Sequence, residues 1–111
     1  MEIQITQLKH CDLVKVSGRI DSYSAPQLAE AFNAITAARR FKIVCDMSEV
    51  NYMTSAGLRV LITVQKTCKR YNRGEVVLTN VPGRVYESFA LSGLAQLFTF
   101  FQDPLLAVGH F

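Results

Sequence analysis

Apolar and polar positions change period several times along this chain, and each change marks an element. Glu2 to Gln7 alternates, with Ile3 and Ile5 on one side and Glu2, Gln4 and Thr6 on the other, which predicts a half-buried strand. After a turn at Leu8 to Asp12, Leu13-Val14-Lys15-Val16-Ser17 is rich in strand formers and ends at Gly18, so the first two strands form a hairpin. Gly18-Arg19-Ile20-Asp21-Ser22-Tyr23 reads as a loop in which Asp21 can bond its own backbone. Ser24-Ala25-Pro26-Gln27 then has the form of a helix start: a serine cap, a proline in the first turn and a glutamine three residues after the cap. Leu28, Ala31, Phe32 and Ile35 supply the core stripe, continued by Ala38 or Arg39, and Arg39 and Arg40 suit the negative end of the helix dipole.

From Phe41 the period shortens again. Ile43, Val44 and Cys45 form the apolar run of a buried strand, which Asp46 closes. Leu58, Leu61, Ile62, Gln65 and Cys68 lie on one face of a second helix spanning about Ser55 to Tyr71 and stopped at Asn72-Arg73-Gly74. Glu75 to Asn80 is a further strand, and Arg84 to Leu91 a short helix with Val85, Phe89 and Tyr86 inward. A last strand falls around Phe98 to Phe101, and Asp103-Pro104 opens a terminal helical turn over Leu105 to Val108. The order β, β, α, β, α, β, α, β, α predicts an α/β fold: a mostly parallel mixed sheet of about five strands, helices mainly on one face, within one domain over residues 1–111. The other face is expected to be partly polar, as Lys15 and Ser17 allow, or shielded by the C-terminal helix.

A length of 111 residues, 50% hydrophobic and 19% charged, suits one compact core. A formal charge of +3, with basic residues spread along the chain, gives no case for direct nucleic-acid binding. The three cysteines, Cys11, Cys45 and Cys68, form no CxxC pair and read as small buried hydrophobes. The amino end lacks the order of a signal peptide, and no apolar run reaches the ~20 residues of a membrane span, so a cytoplasmic protein without direct membrane insertion is expected.

Catalytic and cofactor motifs are missing from the sequence. His10 and His110 have no partner at metal-ligand spacing, and both fall in segments expected to be mobile. There is no GxGxxG, no phosphate-cradling loop ending in Lys-Ser or Lys-Thr, and no Gly-x-Ser-x-Gly, so neither a cofactor nor an enzymatic role is expected. The candidate site is the turn Met53-Thr54-Ser55-Ala56-Gly57-Leu58 at the start of the second helix. A hydroxyl there either caps the helix or, once phosphorylated, presents a charge of roughly −2 to free backbone N–H groups, turning a neutral surface anionic. Asp21 and Asp46 are each expected just after a strand, on the same sheet edge as Thr54 and Ser55.

Gly18-Arg19-Ile20-Asp21, Cys45-Asp46-Met47-Ser48, Tyr52-Met53-Thr54-Ser55-Ala56-Gly57-Leu58 and Gly93-Leu94-Ala95-Gln96-Leu97-Phe98 together resemble the STAS family, specifically its free-standing bacterial anti-sigma factor antagonists. The resemblance implies a phosphoacceptor at Ser55, with Thr54 as an alternative. It also implies a partner-binding surface around Asp21, Asp46, Met53, Thr54, Ser55, Ala56, Gly57 and Leu58. The implied partner is an anti-sigma factor with serine kinase activity, with a separate phosphatase reversing the modification. Thr54 stands where the family usually has an acidic residue, and Ala56 where some members have a second serine. The other role the resemblance allows is a subunit of a phospholipid-transport ABC system or a signalling scaffold, not switched by phosphate. The apolar stretch Leu94 to Phe101 suits either a core or the seam of a homodimer.

Overall fold

The computed structural model describes residues 1–71 and 73–111. A five-stranded sheet in the order β1-β2-β3-β4-β5 organises the chain. Its strands are β1 (Glu2–Gln7), β2 (Asp12–Ile20), β3 (Lys42–Met53), β4 (Glu75–Thr79) and β5 (Phe100–Phe101). β1 pairs antiparallel with β2, and every later pairing is parallel. The helices are α1 (Ala25–Ala37), α2 (Ser55–Arg70), α3 (Gly83–Leu91) and α4 (Pro104–Gly109). This is the expected element order. The expected stop of α2 includes Asn72, which lies outside the described residues.

Two cores hold the layers together. The larger packs Leu28, Phe32 and Ile35 of α1, Leu58, Leu61, Val64 and Cys68 of α2, and Val85 and Phe89 of α3 against Val14, Val16, Ile43, Cys45, Met47, Val76 and Leu78 of the sheet. On the opposite face Val44 and Val77 pack with Cys11 and with Ala107 of α4. The C-terminal helix therefore shields part of the second face, and the uncovered remainder is polar: Lys15 Nζ sits 2.7 Å from Glu49 Oε2 there. Strand alternation divides the late aromatics between the cores. Phe98 and Phe100 meet Phe89 edge-on at 5.6 and 5.5 Å, while Phe101 turns to the α4 side.

Three local expectations change. Asp46 does not close its strand: β3 runs on to Met53, and β2 runs past Gly18 to Ile20. The extension is hidden because register shifts between Lys15 and Ser17, and between Gly18 and Arg19, each place an extra β3 residue opposite β2. The inward positions then become Met47, Val50 and Met53, a spacing of three that does not read as a strand. Gly18 adopts φ +94 at one of these irregularities, a conformation glycine takes without strain. β1 is less buried than its alternation suggests, since it is the sheet edge and Ile5 remains 45% exposed. Ser24 holds the N-cap position of α1, yet its hydroxyl does not cap; the Asp21 carboxylate accepts the Ser24 N–H instead.

Gln65, on the buried face of α2, fills a gap in the sheet. Its Oε1 accepts from the Val76 N–H at 2.7 Å, and its Nε2 donates to the carbonyls of Val76 at 3.0 Å and Leu97 at 2.8 Å. β5 pairs only with Leu78 and Thr79, so the side chain serves the backbone of β4 where the neighbouring strand is missing.

Candidate functional site

The site lies where β2 and β3 end together. Ile20 pairs with Met53, and the Thr54 N–H donates to the Ile20 carbonyl at 2.9 Å, so the entry to α2 is tied to the end of β2. Thr54, in extended conformation, is the N-cap residue of α2, and Ser55 is its first helical residue. The Ser55 side chain is exposed. The Thr54 Oγ1 differs: it is buried and has no hydrogen-bond partner among the described residues. Of the two residues, Ser55 is the exposed one.

Met53, Gly57 and Leu58 are buried and support the turn from below. Gly57 is needed for close approach, because a Cβ there would lie 2.6 Å from Ile20 Cγ2 and 2.8 Å from Met53 Cγ. Ala56 is half-buried and lines a groove of about 430 Å³ between α1 and α2, together with Pro26, Ala29, Asn33, Arg59 and Val60.

Asp21 stands beside this turn. Its Oδ1 accepts the N–H groups of Tyr23 and Ser24, each at 3.0 Å, and its Oδ2 accepts from Arg19 Nε at 2.9 Å. The Ser24 hydroxyl donates to the Arg19 carbonyl at 2.9 Å and accepts the Asp21 N–H at 3.0 Å. The Ser24 N–H, followed by the Arg19 guanidinium, holds the Asp21 carboxyl below the usual carboxylate range. Arg19 is also stacked over Tyr52, its guanidinium carbon 4.2 Å from the ring centroid.

Asp46 stands apart from these residues. It lies within β3 opposite Lys15 rather than in a loop before a helix, is buried, and accepts the Ser48 N–H at 3.0 Å. The expectation that it follows its strand is corrected by the length of β3. Arg19, Tyr52 and Arg59 are surface residues that site reasoning from sequence left out. Arg19 and Tyr52 sit within recognisable motifs, but their stacking depends on a register that the strand irregularities conceal.

His110 is the C-cap residue of α4. Its Nε2 lies 3.0 Å from Glu75 Oε1 and its ring packs against Phe101 and Phe111, at the foot of β4 and the opposite end of the sheet from Ser55. Ser55 and His110 therefore lie at opposite ends of the parallel strands, outside proton-transfer reach of each other. Among the described residues, no group of three or more His, Cys, Asp or Glu side chains is placed to hold a metal ion. No helix among them is long and apolar enough to cross a membrane.

Fold and site define a small α/β domain that offers a side-chain surface at the carboxyl ends of two parallel strands. The chain belongs to the STAS domain, anti-sigma factor antagonist family: the family model described as Mlab, STAS domain matches residues 3–103. The anti-sigma-B factor antagonist of Listeria monocytogenes is 32% identical over 97 residues, covering 87% of this chain and 83% of the relative. That of Bacillus subtilis is 29% identical over 97 residues, covering 87% of each chain. Among solved structures, an anti-sigma factor antagonist from Mycobacterium paratuberculosis has a TM-score of 0.88 at 24% identity, over 98% of this chain and 92% of the other. The anti-sigma factor antagonist SpoIIAA in its unphosphorylated form gives 0.83 at 17% identity, over 98% and 95%. These two likenesses show the fold. Members of the family are non-enzymatic regulatory proteins.

Proposed function

We propose that this protein is a cytoplasmic anti-sigma factor antagonist whose 111 residues act as one binding domain, and that phosphorylation of Ser55 switches its contact with an anti-sigma factor. The observation that carries the reading is the exposed Ser55 at the start of α2, beside the Arg19, Asp21 and Tyr52 cluster. The 32% identical relative, itself an anti-sigma-B factor antagonist, supports the partner class.

In this reading the partner is also a serine kinase. The Ser55 hydroxyl oxygen forms a bond to the γ-phosphorus of ATP, the bond from that phosphorus to the bridging β-γ oxygen breaks, ADP leaves, and a kinase base takes the hydroxyl proton. The product adds a charge of roughly −2 at a surface that an uncharged hydroxyl had matched, and the contact loosens through desolvation and steric mismatch. A phosphatase returns the hydroxyl by hydrolysis: a water oxygen bonds to the phosphorus, the bond from phosphorus to the serine oxygen breaks, and inorganic phosphate leaves.

Incubation with the candidate anti-sigma factor and ATP, followed by mass spectrometry, is expected to place one phosphate on Ser55 and none on Ser55→Ala. Ser55→Asp is expected to weaken binding by tenfold or more, about 1.4 kcal/mol. Unchanged affinity would end the charge-switch reading.

One observation favours a second reading, a constitutive subunit that docks on a transport ATPase. The first turn of α2 holds no acidic residue, and Thr54 occupies the position where the resemblance leads one to expect one. Co-purification from native cells separates the two: a soluble kinase with its sigma factor, or a membrane transport complex.

A further inference from the structure

Arg59 occupies a position that links Ser55 to the α1–α2 groove. At 100° per residue it projects 40° around α2 from Ser55 and one turn further along, whereas Ala56 projects 100° from Ser55. Arg59 thus lies between the exposed serine and the groove, whose wall it forms with Ala56, Val60 and Thr63. Helical side chains lean toward the helix N-terminus, a bias that brings an exposed arginine four residues after Ser55 within reach of the turn that carries it. No acidic side chain lies within ion-pair distance of it among the described residues.

We infer that Arg59 is the positioning residue for a phosphate on Ser55: its guanidinium pairs with the phosphate across one turn of α2, and in doing so moves over the rim of the α1–α2 groove. The inference rests on the Ser55 phosphorylation proposed above and adds its structural consequence. Two donor sets then share the phosphate. The free N–H groups of the first turn of α2 hold it from the helix end, and Arg59 holds it from the side. The modification changes shape as well as charge, because the arginine that leaves the groove wall for Ser55 alters the surface beside Ala56.

The charged groups facing this turn from neighbouring elements are few. β2 and its following loop offer Arg19 and Asp21, already paired with each other; α1 lines the groove with Ala25, Pro26, Ala29, Phe32 and Asn33, none of them charged. Arg59 is the cation of α2 that lines the groove, and Lys66, about 20° round the helix from it, lies two turns further from Ser55. Asp21 acts against ionisation of the phosphate and Arg19 favours it, and both stay constant when Arg59 alone is changed.

The test is made on the protein alone, carrying phosphoserine at position 55 introduced during translation, by following its phosphorus resonance against pH. An exposed phosphoserine loses its second proton near pH 6. Pairing with Arg59 is expected to lower that midpoint, and Arg59→Ala to raise it by about 0.2 to 0.4 unit, the size of one exposed ion pair across a helical turn. Arg59→Lys is expected to keep most of the lowering, and the Arg59 Nε–H resonance is expected to shift on phosphorylation. An unchanged midpoint in Arg59→Ala, or an Arg59 resonance indifferent to the phosphate, would overturn the inference. No partner protein enters this titration, so its outcome is separate from whether the chain binds an anti-sigma factor.

Discussion

Gln65 makes with Val76 both hydrogen bonds that an adjacent strand would make, accepting its N–H at 2.7 Å and donating to its carbonyl at 3.0 Å. Replacing Gln65 by leucine keeps much of the volume, strands those two groups in a buried setting and also removes the part-buried bond to the Leu97 carbonyl. Unsatisfied buried groups cost about 1–3 kcal/mol each, and partial relaxation lowers the sum, so Gln65→Leu is expected to destabilise the fold by about 3 kcal/mol. Urea denaturation measures it, with an unchanged m-value showing that the loss is in stability rather than compactness.

Gly57 sets the seat of α2 on the sheet. Alanine is the better helix former by about 1 kcal/mol, but here its methyl would press on the fully buried Ile20 and on Met53. Overpacking is expected to prevail, with Gly57→Ala less stable by about 1–2 kcal/mol. Combination with Ile20→Ala should then cost less than the two single changes together, and a double-mutant cycle in chemical denaturation reads that coupling.

The Asp21 carboxyl titrates below its ordinary value of 3.8 in the folded chain, first through the Ser24 N–H and then through Arg19. A depressed carboxyl contributes stability above its unfolded pKa and loses it as pH falls through the folded value. Thermal midpoints of the parent should therefore drop as pH falls below the ordinary carboxylate value of 3.8 more steeply than those of Asp21→Asn, which begins lower at pH 6.

Burial pushes the Cys45 and Cys68 thiols up to about 12 from 9.0. Because the unfolded chain releases these protons first, their contribution to stability is complete below pH 9 and falls as pH rises from there toward 12. Denaturant midpoints measured from pH 8.5 to 10.5 should decline less in a Cys45→Ala, Cys68→Ala double variant. At neutral pH neither thiol is expected to react with iodoacetamide until the chain is unfolded, as peptide mapping after a timed pulse would show.

Much of this architecture can be read from periodicity. α1, α2, β4 and α3 announce themselves by apolar stripes, and the Asp103-Pro104 start of α4 follows from local chemistry, since the Asp103 side chain does accept the Leu105 N–H. The hydroxyl turn at Thr54 and Ser55 is likewise visible, because the apolar spacing changes immediately after it. What stayed hidden depends on pairing between distant segments. The stacking of Arg19 on Tyr52 and the seclusion of Asp46 are set by how β2 and β3 align, and that alignment contains two irregularities with no local signature. The hydrogen bonds of Gln65 were equally inaccessible, for a glutamine on an apolar helix stripe reveals its burial but not the strand gap it serves.

The two extra residues of β3 set where this strand can be shortened. Met47, Val50 and Met53 share one core while β2 alternates regularly beside them, so each irregularity absorbs a residue, Ser48 or Asn51, without changing the face that follows. Deleting either one should straighten the pairing and leave Met53 inward, whereas a single deletion in the regular stretch from Ile43 to Asp46 should reverse the faces beyond it, a contrast that a small deletion library could read out directly.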